Sequence, residues 1–117
     1  MIRNGKCLVS EGEMICRNIF SQGLGLMFRF KKQNLIMVFN HERKISLHNF
    51  FVFFPLEVLV LDTNKKVVEM KKNFRPFTFW NSSKQGKYLI ELGRRESWGN
   101  VKVGDYLLIT IEKKCNY

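Results

Sequence analysis

A mainly β protein, a small antiparallel β-barrel or sandwich of about seven or eight short strands with one or two short helices, is the fold this sequence predicts. Three observations carry that expectation. The chain contains no alanine, the strongest helix former, while Val, Ile, Leu, Phe and Thr fill its apolar segments. Those segments are short and are punctuated by polar clusters of the kind that mark tight turns. No helical pattern alternates with strands and no repeat of roughly 20 to 50 residues is present, so a doubly wound sheet and a solenoid are both disfavoured.

The elements follow in order. "KCLVSEGEMIC" reads as two short strands around a turn at Glu11–Gly12. In "NIFSQGLGLMFRF", Ile19, Phe20, Gly23, Leu24, Met27 and Phe28 fall at helical spacing, and one short helix or irregular turn is expected there, packed through Leu24, Met27 and Phe28. "NLIMVF" and "KISLHNF" are two apolar runs separated by "NHERK", a polar connection of hairpin length. "PLEVLVLD" and "KKVVEM" flank the tight turn "TNK". "RPFTFW" is expected to be an extended edge segment, because Pro76 cannot donate to a ladder, and "NSSKQG" a loop by composition. "KYLIEL" is a strand with Glu91 facing outward, "GRRESWGN" a connection with about one turn of helix, and "VKVGDYLLITIE" a turn at Gly104–Asp105 before the last strand.

A length of 117 residues suits one domain over 1–117, able to build a core without a metal or disulfide staple, and eleven phenylalanines supply that core. Twenty Lys and Arg against ten Asp and Glu give a net charge of +10. Such a potential attracts polyanions, but the basic residues lie in dispersed pairs and serve solubility equally well. Cys7, Cys16 and Cys115 have no C-x-x-C spacing, so neither a disulfide framework nor a zinc site is expected, and no cofactor is indicated. The N-terminus lacks the apolar centre of a signal peptide. The longest apolar segment, Phe50 to Leu61, is broken by Pro55 and Glu57 and is too short to span a bilayer. A cytoplasmic protein without a membrane span is the expectation.

Six segments in this order resemble the domain of unknown function 192 family, also called uncharacterised protein family 0127: "GLMFR", "LIMVF", "HNFFVFFPLEVLVLD", "VVEM", "YLIEL" and "VKVGD". In that family the long central segment has an Asn, then proline, an apolar residue and an acid before a strand ending in Asp. Asn49, Pro55, Leu56, Glu57 and Asp62 occupy those places. The chain departs from the pattern with Ser46-Leu47-His48 where the family often has Trp-Met-Lys, and with Glu57 where it usually has Asp. The resemblance implies a compact β-rich domain and no established activity.

Glu57 is the residue that asks for an explanation, because a carboxylate inside an apolar strand costs several kcal/mol when unpaired. Pro55 breaks the run at "VFFP" and places Glu57 at the start of a strand, near the mouth of the barrel. There His48, Asn49 and Glu57 can converge beside Phe51, an apolar wall with a few orienting polar groups, the make-up of a pocket for a small ligand or a protein segment. Arg29 is a candidate partner for Glu57, Glu91 or Asp62. The leading functional expectation is therefore a non-enzymatic binding module with ligand-binding residues Arg29, His48, Asn49, Phe51 and Glu57. The alternative is a nucleic-acid-binding protein using Lys65, Lys66, Lys71, Lys72, Arg75 and Trp80, interleaved with Phe74, Phe77 and Phe79. A hydrolase built on His48 and Glu57 ranks third. No acyl-transfer, phosphate-loop or zinc-protease signature appears, and with two histidines no catalytic or metal residues are assigned.

Overall fold

The computed structural model describes residues 1–16, 32–48 and 54–110, with the backbone alone at Met14, Cys16 and His48. In chain order these form β1 (Ile2–Asn4), β2 (Cys7–Ser10), β3 (Met14–Cys16), β4 (Asn34–His48), β5 (Leu56–Leu61), β6 (Val67–Phe74), β7 (Phe79–Leu92), a 3-10 turn (Arg95–Ser97) and β8 (Leu108–Ile109). One sheet has the order β2-β1-β8, the other β3-β4-β7-β5-β6. Every strand pair is antiparallel except β3 with β4. The sheets lie as a sandwich and do not close into a barrel. The helix expected within residues 18–30 lies outside the described residues.

Period-2 alternation explains the core. In β5 all six residues are buried, as expected for a strand covered on both faces. Leu56, Val58 and Val60 enter one cluster with Leu35, Met37, Leu89, Phe54, Phe74 and Ile45. Leu59 and Leu61 enter the other, with Ile36, Ile90, Leu92 and Val67. Ile2 and Val9 from the three-stranded sheet complete that second cluster, which therefore fills the space between the sheets.

Two expectations are corrected. "NHERK" is not a hairpin: β4 runs unbroken from Asn34 to His48, and its register against β7 jumps from Val38↔Tyr88 to Arg43↔Gly86. Both apolar runs pair with the same strand, so the polar residues between them bulge outward. The bulge is tied down, since Glu42 accepts hydrogen bonds from Thr63 N and Oγ1, both at 2.8 Å, and Lys87 Nζ donates to Phe39 O at 2.6 Å. "NSSKQG" is not a loop but the middle of β7. Its polar groups find partners within the sheet: Ser82 Oγ accepts from Ile45 N at 2.8 Å and donates to Lys84 O at 2.8 Å, and Glu69 accepts from the backbone N–H groups of Ser83 and Lys84.

A third expectation is corrected as well: "RPFTFW" is not an extended edge segment, since Pro76 and Phe77 form a turn and Phe79 and Trp80 open β7, paired with His48 and Leu47 of β4. Other elements agree with expectation. β5 and β6 form the hairpin around residues 62–66, with Asp62 Oδ1 accepting from Asn64 N at 2.9 Å and Lys66 N at 3.0 Å. Glu57 is the second residue of β5. Arg95–Ser97 supply the single helical turn in "GRRESWGN". Gly104 takes φ 100°, and Asp105 closes that turn by accepting from Lys102 N at 2.9 Å. The strands at 7–10 and 14–16 flank Glu11–Gly12 as read, but they enter different sheets.

Candidate binding site

One end of the large sheet is built around a single row of residues. Asn34 on β4 pairs with Leu92 on β7, and Leu92 pairs with Glu57 on β5, so the three share one face of adjacent strands. The loop from Gly93 to Asn100 folds over this row and latches onto each strand with consecutive residues. Ser97 Oγ accepts from Asn34 Nδ2 at 2.9 Å, Trp98 Nε1 donates to Leu92 O at 2.8 Å, and Gly99 N donates to Glu57 Oε1 at 3.3 Å. Glu57 is therefore buried, 3% exposed, because it receives the loop. Burial pushes its carboxyl above the ordinary range, while the Gly99 N–H and the charge of Lys72 act in the other direction.

The same loop makes a cleft against β2. Asn34 Nδ2 also donates to Ser10 Oγ at 2.9 Å, and Asn34 Oδ1 accepts from Arg94 N at 3.0 Å. Arg94 Nη1 reaches across to Glu11 O at 2.9 Å. Between them lies a cavity of about 190 Å³ lined by Leu8, Val9, Ser10, Glu11, Arg94, Glu96 and Ser97. Its buried wall is polar: Ser10 and Ser97 line it and Asn34 bonds both, and all three are almost wholly inaccessible. Each serine oxygen accepts one proton of the Asn34 amide, so each hydroxyl retains its own proton to donate. At the rim, Arg94 is half-buried and Glu11 and Glu96 are exposed. Among the described residues no ion pair joins any of these three charges.

Of the ligand-binding residues expected from the sequence, Glu57 has its side chain within the described residues, and it serves the loop. His48 pairs through its backbone with Phe79, and Glu57 with Leu92, so the two stand opposite the two ends of the fourteen-residue strand β7. Arg29, Asn49 and Phe51 lie outside the described residues. Glu91, expected to face outward, is instead buried at 7% exposure, because it shares its face with Leu89 and lies between Leu35 and Val58 in the first core cluster. Burial pushes its carboxyl up to about 7.

The basic aromatic segment is divided by the fold. Lys65 and Lys66 sit at the Asp62 turn, where Lys66 Nζ lies 5.9 Å from the centre of the Tyr106 ring. Lys71, Lys72 and Arg75 are at the opposite end of β6. Beside them Phe77 is 56% and Phe79 71% exposed, and Phe77 holds a positive φ of 62°. Trp80 is half-buried and packs against the first core cluster. Among the described residues no group of three His, Cys, Asp or Glu side chains is placed to hold a metal ion, and no helix is long and apolar enough to cross a membrane.

Sequence reading missed Ser10, Asn34, Arg94, Glu96 and Ser97. Each lies at the end of a strand or in a connection, and only the fold gathers them. The one local signal was Asn34 opening an apolar run.

Residues 9–109 match the family model DUF192, described as Uncharacterized ACR. A UPF0127 protein of Pyrococcus furiosus is 35% identical over 94 residues, covering 77% of this chain and 79% of that protein. One from Pyrococcus abyssi is 31% identical over 110 residues, covering 90% and 92%. Among solved structures, a protein of unknown function from Novosphingobium aromaticivorans aligns with a TM-score of 0.72 at 19% identity, over 81% of this chain and 72% of that one. A candidate transcription regulator from Sinorhizobium meliloti aligns with a TM-score of 0.71 at 20% identity, over 80% and 78%.

Proposed function

The chain belongs to the DUF192 family, and from that premise, which carries no reaction with it, we propose that the protein is a non-enzymatic binding module for a small ligand or a single residue of a protein segment. The observation that carries this reading is the buried polar wall of the cleft between β2 and the 93–100 loop. Ser10 and Ser97 line the cavity, and their buried hydroxyl oxygens are held in place by the Asn34 amide. The fixed amide of Asn34 orients both hydroxyls, the kind of preorganised donor set that fixes a ligand's orientation. A cavity of about 190 Å³ lies below the roughly 300 Å³ of drug-sized pockets, which favours a fragment-sized ligand. Glu57 supports the site from beneath by holding the loop at Gly99.

The test is a thermal-shift panel of small carboxylates, amines, amino acids, amides, sugars and nucleosides at millimolar concentration, on the parent chain and on Arg94→Gln. Stabilisation by one chemical class in the parent and its loss in Arg94→Gln is the expected result. A panel in which every compound leaves both melting curves unmoved overturns the reading.

A second reading, binding of single-stranded nucleic acid, is favoured by one specific observation. Phe77 and Phe79 are exposed beside Lys72 and Arg75, and Phe77 occupies a left-handed backbone conformation that a smaller residue would adopt at less cost. The Sinorhizobium structure's description as a transcription regulator is consistent with it. Oligonucleotide binding across a salt series, compared with Lys71→Glu/Lys72→Glu, tests it: submicromolar affinity at physiological salt that the double variant loses supports this surface, and weak binding indifferent to the variant removes it.

A further inference from the structure

We infer that the cleft between β2 and the 93–100 loop selects a small zwitterion of the α-amino-acid class, an inference that rests on the cleft being the ligand site and names what it takes. Three facts point there together. Ser10 and Ser97 line the cavity, and since their oxygens accept from Asn34, each hydroxyl keeps a proton it can donate. Arg94 stands at the side with its backbone N–H and one guanidinium nitrogen committed to Asn34 and to Glu11 O, and its guanidinium makes no ion pair among the described residues. Glu11 and Glu96 stand at the rim, exposed and without an ion pair.

Charges of both signs around one small cavity, none neutralising another, are complementary to a ligand that itself carries both. A carboxylate is met by Arg94 and the two hydroxyls, which supply charge-assisted hydrogen bonds. An ammonium group on the neighbouring carbon then lies toward Glu11 and Glu96. A simple anion leaves the two glutamates repelling it, and a simple cation meets Arg94. Neither satisfies the whole set.

Calorimetric titration of the full chain with L-alanine, propionate and ethylammonium decides the matter, with Arg94→Gln and Glu96→Gln alongside. Glu96 is exposed and its carboxylate holds no part of the fold, so that variant keeps the readout independent of folding. Alanine is expected to bind, and each single-charge analogue to bind at least about tenfold more weakly. Arg94→Gln is expected to weaken alanine and propionate, and Glu96→Gln to weaken alanine and ethylammonium. Propionate binding as tightly as alanine, and unchanged in Glu96→Gln, overturns the zwitterion while leaving the cleft a carboxylate site. If none of the three binds but another class in the thermal panel acts through Arg94, the ligand class falls and the cleft stands. If no class acts, both fall.

Discussion

Glu57 and Glu91 are neighbours on adjacent strands that point to opposite faces, and their different fates follow from what each face meets. Glu57 meets the backbone of Gly99. Glu57→Leu removes the acceptor for a buried N–H and is expected to cost about 1–3 kcal/mol in urea unfolding, whereas Glu57→Gln, which keeps an acceptor, stays within about 1 kcal/mol of the parent. Glu91 meets an apolar face, and its carboxyl rises from 4.5 to about 7. The folded state then holds its proton more tightly than the unfolded chain. This favours folding fully below pH 4.5, is lost progressively as pH rises to 7, and costs a constant amount above that. The span is on the order of 3 kcal/mol. Glu91→Gln is expected to raise the melting temperature at pH 8 and to flatten most of the slope between pH 5 and 7. Glu57, raised in the same sense, leaves a slope of the same sign behind. Equal pH profiles for parent and Glu91→Gln count against this account of Glu91.

Among the elements, the 93–100 loop does most to create the site, and its entry point is the tightest. Gly93 N donates to Gln33 O at 3.0 Å, and a Cβ on Gly93 would collide with that same carbonyl oxygen and approach Phe54 Cε2 to 2.8 Å. Gly93→Ala is expected to destabilise by at least about 2 kcal/mol and to release the loop, read as faster hydrogen exchange at Gly99 and Trp98. An unchanged exchange rate there is the contrary outcome. The elements also mark what sequence can carry. The β5–β6 hairpin was legible because its turn chemistry is local, through Asp62. Strand β1 was missed although Asn4–Gly5, between two short apolar stretches, is a hairpin signal. "NSSKQG" was misjudged because its composition is that of a loop, while its strand state depends on Glu69 and Ile45, which are distant in sequence.

At the scale of the whole molecule, β composition and the absence of alanine made a β-rich barrel or sandwich legible without deciding between them, and the six family segments made the ancestry legible. Glu57 was placed at a strand start, where it lies as the second residue of β5. Its partner was not legible, since no spacing rule connects residue 57 to Gly99, or Asn34 to Ser10 and Ser97. The site is a property of how the two sheets meet. The net charge of +10 belongs to this scale as well: the basic, aromatic end at Arg75, Phe77 and Phe79 and the mixed-charge cleft at Arg94 are separate surfaces, borne by the 75–78 connection and first residue of β7 and by the 93–100 loop after it. One experiment separates them. A nitrogen-15 amide spectrum of the full chain, titrated first with L-alanine and then with a single-stranded oligonucleotide, reports on both in one sample. Alanine is expected to move the amides of Ser10, Glu11, Arg94 and Ser97 and to leave those of Phe77 and Phe79 in place. Amides at residues 75–79 that move with the oligonucleotide, while the cleft stays silent to alanine, would contradict that expectation.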